Sequence, residues 1–165
     1  MPTRRSVGVP ASDDVDAVTD AVLTASRLLV AVSARSIAAV DESITIPQFR
    51  LLVVLDSRGP IKLTAVAESL AVNPSTATRM VDRLVAAELV SREANPASRR
   101  ELVVSLTDTG AAVVREVTQR RRREIARIVS RMPATTRRGL VRALTSFADA
   151  GDEPSVVDHG DALWL

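Results

Sequence analysis

Between residues 73 and 83 the chain gathers side chains that grip phosphates and base edges without reacting with them. Asn73, Ser75, Thr76 and Thr78 come first, and the long Arg79 and Arg83 follow. Short hydroxyls allow close approach to a nucleic-acid backbone, and an arginine fork can hold guanine O6 and N7 together. A second group, Arg99 and Arg100, stands beside the turn sequence Asn95-Pro96-Ala97-Ser98. Adjacent arginines are awkward in a structural hairpin but suit the negative potential of a narrow A·T-rich groove. These residues are candidates for contact with double-stranded DNA.

Reactive chemistry has far less to work with. The chain of 165 residues holds no cysteine, which excludes disulfides, thiolate metal sites and thiol redox sensing within it. Its one histidine, His159, lies in a tail-like stretch and has no second histidine with which to form a catalytic or metal centre. There is no glycine-rich phosphate loop, nucleophile–base pair or metal-ligand spacing, so no catalytic residue, metal or cofactor is expected. The carboxylates stand at helix starts, as Asp13 and Asp14 do, or beside arginines, where structural roles explain them. An enzyme is the weakest class, behind a DNA-binding regulator and an interaction protein.

The elements that must position the polar groups follow from periodicity. Leu63, Val66, Ala67 and Leu70 recur at i, i+3, i+4 and i+7, one face of a short helix. Ala71-Val72 makes a turn, and Asn73 caps the next helix with Pro74 at its first position, where a missing N–H costs nothing. That helix runs to about Glu88 with Ala77, Met80, Val81, Leu84 and Val85 on one side. Ser75, Arg79, Asp82 and Arg83 point roughly opposite, and Thr76 and Thr78 lie on the flanks. Leu89–Glu93 and Glu101–Leu106 read as strands, the second alternating Leu102, Val104 and Leu106 against Glu101, Val103 and Ser105. A solvated surface helix would show the same outer face. The basic hairpin beside it favours a winged helix-turn-helix, whose second helix enters the major groove.

Helices flank this head. Val15, Val18, Val22, Ala25, Leu29 and Val32 form a heptad seam of under three repeats behind a Ser12 cap. That is too short for a free coiled coil and right for packing against other helices, including a partner chain's. Thr45 and Gln48 make a capping box with Pro47 in the first turn. Thr107 caps a long helix to about Met132, and Pro133 opens another carrying Leu140, Val141, Leu144 and Phe147, ended by Gly151. The end helices carry more apolar surface than one small head can cover, so an intertwined homodimer is the economical solution. The fold class is mainly α with a small β-hairpin wing. It divides into a flexible N-terminus (1–11), a helical dimerisation region (12–42 and 108–150), a winged helix-turn-helix (43–107) and a flexible acidic tail (151–165).

The ordered set Thr45-Ile46-Pro47-Gln48-Phe49, Leu63 to Leu70, Ser75 to Arg79, Val81 to Leu84, Leu89 to Arg92, Arg99-Arg100 and Leu106-Thr107 with Gly110 resembles the core of the MarR family of bacterial transcription regulators. The resemblance implies a homodimeric repressor, sometimes an activator, on an inverted-repeat operator. It also implies a dimer interface built from the terminal helices and release by a small, often aromatic or phenolic, ligand bound between those helices and the head. It aligns Arg100 with an arginine inserted in the minor groove and makes Arg99 a phosphate contact. Pocket residues are not fixed by a shared motif. Phe49, Arg50 and Arg35 lie near the expected junction, where a core Phe and surface arginines explain them equally well. Two positions depart from the family pattern. Ser98 stands where the wing usually has an aspartate that orients its second arginine, and this alone supports the alternative of a winged-helix interaction protein without specific DNA binding. Ala71 stands where glycine is common, which is compatible with a turn that avoids positive φ.

A net charge of +2 conceals segregation. Residues 74–100 carry 5 basic and 3 acidic side chains (+2), residues 115–142 carry 10 and 2 (+8), and residues 149–165 carry 5 acidic ones (−5). The first excess suits attraction to phosphate. The larger one centres on Arg120-Arg121-Arg122-Arg123, which point all round a helix and read as a solvated, salt-bridged stretch or as a contact for phosphate or the acidic tail. No run approaches the roughly 18 apolar residues of a membrane span, and Met1 to Arg5 leads into no signal-like segment, so a cytoplasmic location without a membrane partner is expected.

Overall fold

Thr45 opens the first helix of the head by reciprocal bonding. Its backbone N–H donates to Gln48 Oε1 at 2.7 Å, and the Gln48 N–H donates back to Thr45 Oγ1 at 3.4 Å. The capping box therefore forms as expected, with Pro47 in the first turn. The computed structural model describes residues 11–95 and 98–151, with backbone alone at 11–13, 99 and 100. The expected termini, apart from Ala11 and Gly151, lie outside these residues, as do His159 and the turn residues Pro96 and Ala97. In chain order the elements are α1 (Ala11–Ala38), α2 (Ile46–Arg58), β1 (Ile61–Lys62), α3 (Leu63–Leu70), α4 (Pro74–Ala86), β2 (Val90–Asn95), β3 (Ser98–Leu106), α5 (Asp108–Ser130) and α6 (Ala134–Ala150).

The head is built round one core. Leu51, Leu52 and Leu55 of α2, Val66 of α3, Val81 and Leu84 of α4, Val104 of β3 and Val117 of α5 are fully or almost fully buried and share one cluster. Burying each such side chain is worth about 1.5–3 kcal/mol, so the inner faces of α3 and α4 are fixed by burial and their outer faces are left for other work. The antiparallel sheet has the order β1-β3-β2, with Ile61 opposite Val104 and Val90 opposite Leu106. Two end helices pack on the head: α1 joins α5 through the exposed Arg35–Glu124 ion pair, and Val32 and Ile37 close the α1 end.

Several details differ from the sequence expectation. β1 was not foreseen, because Ile61-Lys62 is too short to show a period of two. The described α1 is already helical at Ala11, so Ser12 lies within the helix and not ahead of it. Ala71 adopts φ 52, ψ 44, the left-handed region that the expectation excluded. The reversal between α3 and α4 demands it: Val72 N–H returns to Ala67 O at 3.0 Å and Ala71 N–H to Glu68 O at 3.2 Å, the paired bonds of a Schellman motif. α4 stops at Ala86, short of Glu88, by the same device. Glu88 takes φ 59, and Leu89 N–H bonds Leu84 O at 3.0 Å. Leu102 does not complete the inward alternation of β3. It is 38% exposed because the hairpin has by then left the body of the head.

One helix bears on the membrane expectation. Asp14–Ala38 is 25 residues long and, by length and average composition alone, apolar enough for a span. No continuous apolar run produces this. Ala, Val and Leu raise the average around Asp20 and Arg27. α6 is stranger still: among the described residues none of its side chains is buried, and Val141, Leu144 and Phe147 are 69%, 54% and 57% exposed. Val15, Val18, Leu23 and Leu29 of α1 are likewise exposed. Arg120 pairs with Glu116 one turn back, and Arg121, Arg122 and Arg123 face outward.

Candidate nucleic-acid interface

α4 begins where Asn73, in extended conformation, turns its side chain over the helix start. Asn73 Oδ1 accepts from Thr76 N–H at 2.8 Å and from the Ser75 hydroxyl at 2.8 Å. Ala77, Met80, Val81 and Leu84 then enter the core, which leaves Ser75, Arg79, Asp82 and Arg83 on the exposed side and Thr76 and Thr78 half-buried at its edges. That placement matches the helical reading of the sequence. The hydroxyls are less available than their types suggest: Thr78 Oγ1 donates to Pro74 O at 2.9 Å, and Ser75 donates to the cap. Both hydroxyl protons are thus engaged, and either must exchange a bond to donate to a phosphate. Arg79 Nε donates to Ser75 O at 3.3 Å, which holds the side chain along the helix.

Asp82, expected only as an outer-face residue, forms an ion pair with Arg92 of β2. A carboxylate on a phosphate-seeking face is thus neutralised, and the same pair ties α4 to the hairpin. At the hairpin root a second carboxylate, Glu101, takes Lys62 Nζ at 2.9 Å on Oε1 and Asn95 Nδ2 at 2.9 Å on Oε2. The Lys62 hydrogen bond first, and the Asn95 bond second, hold the Glu101 carboxyl below its ordinary value of 4.5. Sequence reasoning missed this cluster. Lys62 and Glu101 are 39 residues apart, and only the unforeseen β1–β3 pairing brings them together. Arg99 and Arg100 belong to β3, on the same hairpin and directly before Glu101, and their side chains lie outside the described set.

Behind the interface, α4 and β2 are joined to α5 by a compact knot. The Thr107 hydroxyl donates to Glu88 O at 2.7 Å and accepts from Gly110 N–H at 3.0 Å, while Thr107 N–H bonds Leu89 O at 3.2 Å. The expected Thr107 cap therefore also serves as a tie. Gly110 is required there, because a Cβ would stand 2.1 Å from Leu89 O. Among the described residues no cluster of three or more His, Asp or Glu side chains could hold a metal ion. Phe49 is a core residue, Arg50 is exposed and Arg35 pairs with Glu124.

Two short helices joined by a left-handed turn, the second with a polar outer face and followed by a β-hairpin, define a winged helix-turn-helix protein. Residues 44–102 match the MarR family. A crystal structure of RV1404 from Mycobacterium tuberculosis is 62% identical, covers 86% of this chain and 97% of that one, and superposes with a TM-score of 0.80. This chain belongs to the MarR family. The transcriptional repressor MdtR of Bacillus subtilis is 36% identical over 89 residues, 54% of this chain and 57% of that protein; the chain spans about half the length of the curated relatives it matches. BpsR of Bordetella bronchiseptica, whose DNA binding is regulated by 6-hydroxynicotinic acid, is 26% identical over 79% of this chain and 98% of that one, with a TM-score of 0.60. The MarR family consists of transcription regulators.

Proposed function

We propose that this protein is a homodimeric transcription regulator that represses from an inverted-repeat operator and is released by a small ligand. The observation that carries the reading is the exposed polar face of α4, set beside a hairpin that bears Arg99 and Arg100 in sequence. In this reading Arg79 reads a base edge in the major groove. Asn73, Ser75, Thr76, Thr78 and Arg83 position the helix on the backbone, Arg99 meets a phosphate and Arg100 enters the minor groove. Residues 43–107 form the reading head, and residues 12–42 with 108–150 form the dimerisation region. Its support is the apolar surface that α1 and α6 leave uncovered. Two-fold related heads then meet the duplex about one helical turn, roughly 34 Å, apart. The protein acts in the cytoplasm on chromosomal DNA.

Release is a matter of differential affinity: a ligand that favours one spacing of the heads over the other lowers operator binding. The named control of BpsR by 6-hydroxynicotinic acid supports a small aromatic ligand of this kind. The test is titration of a labelled promoter fragment and a scrambled fragment at two salt concentrations. Preference for the promoter, with affinity falling steeply as salt rises, is the expected outcome. Equal, weak binding to both would favour an interaction protein. Sedimentation giving a stable monomer at micromolar concentration that still binds DNA as a monomer would overturn the dimer.

A further inference from the structure

We infer that Lys62, Glu101 and Asn95 form a clamp at the wing root, and that Glu101 is a positioning residue fixing the angle at which β3 presents Arg99 and Arg100. The inference rests on the regulator reading above. Each oxygen of the Glu101 carboxylate holds a partner from a different strand: Oε1 takes Lys62 from the end of β1, and Oε2 takes Asn95 from the end of β2. One side chain on β3 thus gathers all three strands immediately after the two arginines.

The backbone ladder stops helping at this point. Ala94 pairs with Leu102, but Asn95 pairs with Ser98, so the register breaks and Glu101 loses its place opposite Asn95. The side-chain bond between Asn95 and Glu101 restores across the gap what the ladder gives up. Apolar packing only partly substitutes for it, since an open groove of about 230 Å³ lies between the wing root and the start of α4, with Leu63 and Leu102 among polar lining residues such as Lys62, Thr78 and Glu101. Beyond the buried end of β3, the Glu101 bonds add to the ladder in holding the wing at its angle. Glu101 does so from a place where a bare carboxylate would repel phosphate, and Lys62 removes that penalty.

Electrostatics alone and positioning give opposite signs, which makes the clamp testable in the full-length protein. The probes are a duplex selected by the wild-type protein from a random pool and a scrambled duplex of equal length. With Glu101→Gln, loss of a negative charge holds or raises affinity for the scrambled duplex. Glutamine has one acceptor oxygen, so it cannot hold Lys62 and Asn95 together, and losing one bond and the charge on the other lowers the selected-over-scrambled ratio about five- to tenfold. Lys62 is the only lysine of the chain, so acetylating amines on the folded protein neutralises a single side chain and should cause the same fall. Lys62→Arg, which keeps the charge, should retain most of the ratio and lose none of it on acetylation. A Glu101→Gln protein that binds both duplexes more tightly by the same factor, or an acetylated protein that binds both more weakly by the same factor, would overturn the clamp while leaving DNA reading intact. If Glu101→Gln does not fold, acetylation of the folded protein decides alone. A wild-type protein that selects no sequence from the pool would overturn the regulator reading and the clamp with it.

Discussion

Replacing Gly110 by alanine adds one methyl group where α5 meets the end of the head, and the geometry sets its cost. The new Cβ would lie 2.1 Å from Leu89 O and 2.8 Å from Leu106 Cδ1. The leucine tip can rotate away. The carbonyl cannot, because it is held at 3.2 Å by Thr107 N–H within the knot that also binds Gly110 N–H. Relieving the overlap means moving the start of α5 from β2 by roughly 1 Å, and overpacking of this kind costs about 1–3 kcal/mol, occasionally more. Alanine recovers up to about 1 kcal/mol of helix propensity, less in a first turn. A net loss of about 2 kcal/mol is expected, or a fall of roughly 4–8 °C in melting temperature for a chain of this size. Gly139 in α6 is the internal control, since nothing lies within 4 Å of its Cβ position, so Gly139→Ala should gain about 0.5–1 kcal/mol. Both variants are compared with wild type by urea denaturation at one protomer concentration, because assembly contributes to apparent stability. A Gly110→Ala protein as stable as wild type would refute the packing argument, as would equal losses for the two variants.

Ala71→Gly should stabilise the protein by about 0.5–1 kcal/mol, since relief at φ 52 exceeds the entropy glycine adds to the unfolded chain; denaturation showing a loss would contradict the left-handed turn. Arg79→Ala should weaken operator binding by about 1–3 kcal/mol and relax preference at one base pair per half-site, and an equal loss on random DNA would remove its assigned role. Arg100→Ala should reduce the magnitude of the salt slope by about one per wing, whereas Ser98→Asp should hold or improve selectivity with little change in total affinity. Glu101 titrates below its ordinary value, so its contribution to stability is present above pH 4.5 and is lost as pH falls through the lowered value. The stability difference between wild type and Glu101→Gln should therefore be widest near neutrality and close on acidification, and a gap independent of pH would show that the ionised carboxylate is not what matters.

What the sequence made legible was local. Asn73-Pro74, Thr45 with Gln48, and Thr107 mark helix starts through bonds that span three residues, and the i, i+3, i+4 apolar spacing of α3 and α4 fixes their inner faces. Ser75, Arg79 and Arg83 on the outer side follow by subtraction. What stayed hidden depends on distant chain meeting chain. β1 is two residues long and exists only because β3 lies beside it. The partners of Asp82 and Glu101 come from other elements. The left-handed turns at Ala71 and Glu88 were illegible for another reason: neither residue favours that conformation, and the burial of Leu84 and Leu89 on either side of the second turn overrides preference.

The knot at Thr107 has a mechanical consequence. Bonds from Glu88, Leu89 and Gly110 converge on one residue, which couples the head to α5 and favours their moving together. α5 has 23 residues and is therefore about 34 Å long at ~1.5 Å per residue. A tilt of only about 5° at its far end swings the knot by ~3 Å, close to the axial rise of one base pair. The lever works in both directions. If the protein works as the dimeric regulator proposed above, a displacement too small to disturb packing near Arg131 is enough to put α4 out of step with its groove, and a duplex with slightly altered half-site spacing would press back on the same far end.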